Sequence, residues 1–327
     1  MSADLTTATT EGSATETDTV VPTAAGDLGA IVRVPGPGVL PGVVLVDGSG
    51  DGDRHDWGGW PEWIADAGAV VLRHDKPGCG GSPGRWTDQS LEDRARESLA
   101  AVRVLRAHPA TAGQPIGLYG ISQGGWVALI AAALAPEEVD FIICHSGPGT
   151  TPAAQERARI ETWLRDEGHD DEAVHEAMGW VDTRADRLRH GTSAASILQE
   201  QAAFSDRAWF ATATFVYDTV EGLDFIARIL DFDPTTVMPQ VRCPLLVLFG
   251  GDDTVVPAQT SLRAFAEHLP PHHGHGFAVF PRANHGLFVA DPDPDVPRRE
   301  QLAPAYLPTL NAFLAERSVT QDTTSAA

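Results

Sequence analysis

Cysteine is scarce in this chain of 327 residues. Cys79, Cys144 and Cys243 are far apart and odd in number, which excludes a disulfide framework, offers no zinc-ligand spacing and fits a reducing compartment with buried, inert thiols. Long hydrophobic runs are missing too. Nowhere do 18 consecutive apolar residues occur, so no membrane-spanning helix is expected. Positive charge is also in short supply: 23 Lys and Arg stand against 45 Asp and Glu, a net charge of −22. Such a surface repels nucleic acid and anionic membranes and leaves a small molecule as the expected partner. Met1 to Thr19 lack the basic start and apolar stretch of a secretory signal and are rich in Thr, Ala, Glu and Asp. They are expected to form a disordered tail, as are residues 318–327, and the expected location is cytoplasmic.

What is present is a regular alternation. Short apolar runs at Val39–Val46, Ala69–Arg73, Ile116–Tyr119, Val139–Cys144, Val241–Phe249 and Phe277–Phe280 have the length and composition of buried strands, and Val20–Val34 suggests an antiparallel hairpin before them. Helical patterns lie between or after them at Trp60–Ala67, Ser90–Ala107, Trp126–Leu134, Ala258–Leu269 and Gln301–Arg317, with Ser90 and Asp93 as a helix start. Near-continuous apolar strands alternating with amphipathic helices predict an α/β fold, a parallel sheet covered on both faces. Residues 151–238 break the alternation: they are helical in pattern and contain Trp163, Trp180, Trp209, Phe210, Phe215 and Tyr217. The expected organisation is therefore a core of residues 20–150 and 239–317, interrupted by a helical cap over the carboxyl edge of the sheet. Most of those aromatics are expected to pack within the cap, with one or two facing a substrate.

The chemistry centres on residues 116–126, Ile-Gly-Leu-Tyr-Gly-Ile-Ser-Gln-Gly-Gly-Trp. A strand running straight into a helix leaves Ser122 of this G-x-S-x-G on a sharp corner. Gly120 and Gly124 are needed there because a Cβ would clash where strand and helix approach. A serine hydroxyl needs a base, and the base needs an orienting acid. Downstream, one strand runs into Gly-Gly-Asp252-Asp253 and the next into Pro-Arg-Ala-Asn-His285-Gly, in the order Ser…Asp…His. Asp253 is preferred as the acid because it stands four residues before Pro257, with Asp252 capping the loop or solvated. His285 is the expected base. Acyl transfer also requires donors to the developing oxyanion. The backbone N–H groups of Gln123 and Ser49 are expected to supply them, with Gly50 as the alternative to Ser49. His272, His273 and His275 lie in a Pro/Gly loop without matching ligand spacing, so a solvated loop is expected rather than a metal site.

Taken together, Leu45–Arg54, Arg73–Ser82, the Ser122 elbow, Ser146-Gly-Pro-Gly149, the Asp253 loop and Asn284-His285-Gly286 resemble the α/β-hydrolase superfamily. Within it, the chain is similar to the serine hydrolases that include dienelactone-hydrolase-like and serine-aminopeptidase-like esterases. The resemblance implies a mostly parallel eight-stranded sheet with a helical cap, a catalytic triad of Ser122, Asp253 and His285 acting through an acyl-enzyme, and neither a metal nor an organic cofactor. One departure stands out: Asp47 occupies the place where the group has His before the oxyanion glycine. The nearby Asp51, Asp53 and Arg54 are expected to form structural ion pairs. A carboxylic ester is the expected substrate. Thioesters, lactones, N-terminal peptides and non-hydrolytic tailoring chemistry are the alternatives.

Overall fold

In the computed structural model, which describes residues 14–289 and 293–318, eight strands form one sheet. They are β1 (Thr15–Thr23), β2 (Gly26–Val34), β3 (Gly42–Val46), β4 (Val70–His74), β5 (Ile116–Ile121), β6 (Phe141–His145), β7 (Leu245–Gly250) and β8 (Gly276–Phe280), in spatial order β1-β2-β4-β3-β5-β6-β7-β8. β1–β2 and β2–β4 pair antiparallel, and every pair from β4–β3 to β7–β8 is parallel. Successive side chains of a strand point to opposite faces, and both faces are apolar here. Val44, Val46, Leu72, Leu118 and Val247 enter one core cluster, whereas Val43, Leu45, Val71, Tyr119 and Leu248 enter the other. That two-sided burial explains why the central strands read as unbroken apolar runs.

The helices are α1 (Trp60–Asp66), α2 (Leu91–Arg106), α3 (Gln123–Leu134), α4 (Pro152–Asp166), α5 (Asp171–Arg189), α6 (Ala194–Gln201), α7 (Phe210–Thr214), α8 (Val220–Ile229), α9 (Ala258–His268) and α10 (Tyr306–Ala315). Those packing on the first face include α2 and α3, and α1 and α10 pack on the second. Ser90 caps α2 as expected: its hydroxyl accepts the Asp93 N–H, and the Asp93 carboxylate accepts the Ser90 N–H. Five helices, α4 to α8, intervene between β6 and β7 with no strand among them. Their buried side chains, among them Ile160, Leu164, Trp180, Trp209 and Leu223, join the cluster on the first face.

Three expectations shift. Thr15–Thr19, expected within a tail, are strand, because β1 starts at Thr15 and pairs with β2 along its whole length. Glu16 is held there by both Arg33 and Arg73, which lower its carboxyl pKa; residues 1–13 lie outside the described residues, as do 319–327. The strand expected from Val241 begins at Leu245, since Pro244 has no N–H to donate to a ladder. The last helix begins at Tyr306 rather than Gln301, because Pro304 cannot sit inside it.

Candidate active site

Ser122 sits between β5 and α3 with φ 53° and ψ −119°, outside the usual regions for a residue with a side chain. Local packing over-determines this corner. A Cβ on Gly120 would lie 2.2 Å from the Gly124 carbonyl oxygen, and one on Gly124 would lie 2.1 Å from the Val46 carbonyl oxygen. Only glycine lets α3 start this close to β3 and β5. The Ser122 N–H donates to the His145 carbonyl at 2.9 Å, tying the elbow to the end of β6.

Asp253 follows β7 and His285 follows β8, and the two meet. His285 Nδ1 lies 2.9 Å from Asp253 Oδ2, and the Asp253 side chain is fully buried. The other carboxylate oxygen accepts the N–H groups of Val255 and Val256 at 2.8 and 2.9 Å. Both oxygens are thus committed, so the carboxylate has one orientation and accepts the Nδ1 proton, leaving Nε2 of His285 for other work. Asp252 is exposed, and its backbone N–H bonds the Ala283 carbonyl. Among the described residues Ser122 Oγ makes no hydrogen bond, so the acid–base half of the constellation is formed and the nucleophile–base half is open.

A network absent from the sequence reading holds the His285 backbone. Ser146 Oγ donates to the His285 carbonyl at 2.9 Å, and His145 Nε2 lies 3.3 Å from the same oxygen. A carbonyl only accepts, so His145 Nε2 carries the proton and Nδ1 accepts from the Tyr119 hydroxyl, 2.7 Å away. Tyr119 in turn accepts from Tyr306 at 2.6 Å. Burial, with the charge of nearby His285 adding to it, pushes the His145 pKa down to about 3, which keeps this relay neutral.

The loop after β3 carries Ser49, exposed, and Gly50, half-buried. Two buried cations hold it from beneath. Lys76 Nζ donates to the carbonyls of Gly48, at 2.8 Å, and Gly50, and pairs with Asp47 at 3.3 Å. Arg94 donates to the carbonyls of Asp47 and Gly48 at 2.7 and 3.3 Å and to the side chain of Gln123. Asp47 is therefore the counter-ion of Lys76, which gives the departure at this position a physical role. Burial lowers the Lys76 pKa to about 8 and also lowers that of Arg94. Neither cation was expected from the sequence. The available signals were that Lys76 is the only lysine in the chain and that Arg94 falls on the apolar stripe of α2 between Leu91 and Ala95.

Other candidates take structural places. Arg54 pairs with Asp75, while Asp51 accepts from the Trp86 indole and Asp53 from the His55 backbone, so only Arg54 of those three forms an ion pair. His275 is half-buried with both ring nitrogens partnered: its Nδ1 accepts the Leu245 N–H and its Nε2 faces the Pro270 carbonyl. Among the described residues no cluster of His, Cys, Asp or Glu has metal-binding geometry, and no helix is long and apolar enough to cross a membrane. Cys144 and Cys243 are buried and free, and burial pushes both thiols up to about 12. In the insertion Trp180, Trp209 and Tyr217 are buried, whereas Trp163 and Phe215 line a cavity of about 350 Å³ that reaches Ser49 and Gly50.

A strand–serine–helix elbow and a histidine paired with a buried aspartate on one edge of a mostly parallel eight-stranded sheet define the α/β-hydrolase class. A family model described as serine aminopeptidase, S33 (Hydrolase_4) matches residues 60–293, and the chain belongs to that family. No curated protein matches the chain. Solved structures share the fold at low identity. DcsB, solved with its substrate analogue, is similar at 16% identity and a TM-score of 0.60, covering 94% of this chain and 100% of that one. A dienelactone hydrolase from Anabaena variabilis aligns at 17% identity and a TM-score of 0.53, covering 93% and 97%. A thermophilic esterase from Thermogutta terrifontis aligns at 23% identity and a TM-score of 0.51, covering 91% and 99%.

Proposed function

We propose that the protein is a serine hydrolase that cleaves a carboxylic ester. The observation that carries this is the pairing of His285 with the buried carboxylate of Asp253, whose second oxygen is saturated by Val255 and Val256. A carboxylate so fixed holds the imidazole in the tautomer a general base requires and stabilises imidazolium when it forms. In the proposed reaction His285 Nε2 takes the proton from Ser122 Oγ, and the oxygen attacks the ester carbonyl carbon. The oxyanion accepts hydrogen bonds from the N–H groups of Gln123 and Ser49. The C–O bond to the alcohol then breaks, and the alcohol leaves with the proton from His285. A water molecule, deprotonated by the same imidazole, attacks the acyl-enzyme, and collapse releases the acid and restores Ser122. The five-helix insertion serves as the cap, with Trp163 and Phe215 as its substrate-facing aromatics. The family match and the likeness of fold to an esterase add support.

Fluorophosphonate labelling followed by a panel of p-nitrophenyl esters and acyl-CoA thioesters tests the reading. The wild type is expected to label and to turn over esters, while Ser122→Ala does neither. A folded wild type that takes no label, or a Ser122→Ala variant with full turnover, overturns it. Preference for the acyl-CoA panel replaces the ester by a thioester.

A further inference from the structure

The insertion puts an unusual group into the wall of the cavity above the Ser49 loop. Arg159 on α4 is 5% exposed, and it lines this cavity. Its Nε and Nη2 atoms bond the carboxylate of Glu156 at 2.7 to 3.3 Å, and its guanidinium carbon lies 4.3 Å from the ring centre of Trp163. Nη1 is buried without a hydrogen-bond partner. Leaving a charged donor unsatisfied in the interior is costly, and native proteins rarely do so without a reason.

Glu156 does not answer that need, since it already accepts from two nitrogens of Arg159 and, at 3.2 Å, from the Tyr217 hydroxyl. A second buried cation, Arg184 on α5, packs over the Tyr217 ring at 3.7 Å and feels both Glu156 and Arg159 electrostatically. The cluster therefore sets two guanidinium groups against one carboxylate. In a chain of net charge −22 this is a local reversal of sign. Glu156 lines the cavity beside Arg159, and apart from Ser49 and two glycines the rest of the wall is apolar, including Trp86, Phe215, Phe225 and Ile226.

We propose that this cavity binds a carboxylate carried by the substrate, so that the natural ester bears an acid group separated from the scissile carbonyl by a short hydrocarbon or aromatic spacer. The identity of the reaction rests on the ester-hydrolase reading above; the anion site does not. The guanidinium turns on the Trp163 face to present Nη1 to the incoming carboxylate, which supplies the missing acceptor and neutralises the excess charge, as charge-assisted pairs do. The same charge balance disfavours a substrate ammonium, so it turns the family's peptidase chemistry away from this chain.

Two measurements on the full chain decide it. In the first, tryptophan fluorescence follows titration with monomethyl glutarate and with uncharged dimethyl glutarate. The charged compound is expected to bind about 10-fold tighter or more to the wild type. Arg159→Met is expected to erase the difference. Arg159→Gln, which keeps a neutral donor beside Glu156 and leaves Arg184 facing that carboxylate, is expected to do the same and guards against misfolding of the methionine variant. In the second, kcat/KM is compared between a p-nitrophenyl ester with a free ω-carboxylate on its acyl chain and its methyl-capped form, and between butyrate esters of hydroxybenzoic acid and of its methyl ester. The pair that shows an Arg159-dependent preference tells whether the acyl or the alcohol part carries the acid. Equal binding of charged and capped compounds by the wild type, or a preference that survives loss of Arg159, overturns the proposal. Failure of fluorophosphonate labelling with the fluorescence difference intact overturns the hydrolase reading alone.

Discussion

At the carboxyl edge of the sheet each proposed catalytic residue is anchored by a strand. Ser122 directly follows β5, Asp253 lies three residues past β7, and His285 lies five past β8. Backbone groups do most of the positioning there: the Ser122 N–H on the His145 carbonyl, the Val255 and Val256 N–H groups on Asp253, the Ser146 hydroxyl on the His285 carbonyl. The helical insertion works differently. Arg159 and Trp163 owe their places to side-chain packing among five helices and to two reaches down to the acid loop, Gln155 to the Val255 carbonyl at 2.7 Å and Trp163 to Thr254 at 3.4 Å. A site with reaction chemistry on strand ends and recognition on packed helices can change its substrate without disturbing its mechanism.

Asp253→Asn attacks the strand-end half most directly. An amide donating where the carboxylate accepts favours the wrong imidazole tautomer, so kcat is expected to fall by about 10⁴-fold with a normal thermal midpoint. Asp252→Asn, one residue away and exposed, is expected to change kcat by less than about 3-fold. Steady-state kinetics on one activated ester checks both, and equal losses would remove the distinction between the two acids. Trp209→Ala attacks the other half. This indole is 1% exposed and bonds Glu176 at 2.8 Å, and its deletion is expected to cost about 3–5 kcal/mol. Denaturant unfolding followed by circular dichroism then separates two cases. Loss in a first, partial transition means that the insertion unfolds as its own unit. A single shifted transition means that insertion and sheet face share one cooperative core.

Lys76→Met removes a cation that touches no substrate in the proposed mechanism and only grips the oxyanion loop. Misplacing one oxyanion donor costs on the order of 10²-fold, and that loss is expected in kcat with little change in KM. A bulk structural defect would lower the fraction of active enzyme instead, which active-site titration with fluorophosphonate detects. The wild type should also lose kcat above about pH 8 as Lys76 deprotonates, and Lys76→Arg should move that limb to higher pH. A limb that stays put assigns it to another group.

The two halves also differ in how far residue types disclose them. The elbow, Asp253 and His285 were legible because each follows an apolar run in a fixed order, and chain order survives folding. The preference for Asp253 over Asp252 followed from its spacing to Pro257; the structure buries the Asp253 side chain against His285 and leaves Asp252 exposed. Lys76, Arg94 and His145 were not legible, because they act on backbone carbonyls up to 140 residues away and carbonyls carry no residue identity. The first five residues of β1, ahead of the hairpin expected from Val20, were missed for a related reason. β1 is an edge strand with solvent on one side, so its Thr, Glu and Asp pattern resembles a tail until the long-range contact of Glu16 with Arg73 is known. The aromatics of the insertion announced a packed helical unit, but which of them faced the cavity depended on helix rotation that no spacing supplies.

The smallest expected effect concerns the charge economy of α2, whose adjacent turns carry Arg94 under the oxyanion loop and Glu97. Glu97 is 7% exposed, and burial raises its pKa to about 7, opposed by a 2.6 Å hydrogen bond from Gln89 and by Arg94. A carboxyl with a folded pKa above its unfolded value binds its proton more tightly in the folded state. Its contribution is therefore fully present below about pH 4.5 and is lost as pH rises toward 7, after which the ionised group is a constant burden. One pKa unit corresponds to about 1.4 kcal/mol, so Glu97→Gln is expected to stabilise the protein by about 2–3 kcal/mol at pH 8 and by nearly nothing at pH 4. The glutamine oxygen still accepts from Gln89. Urea midpoints at the two pH values read this out. An equal shift at both would mean that Glu97 acts through packing rather than through charge, and would leave Arg94 as the buried group on that helix face whose charge matters.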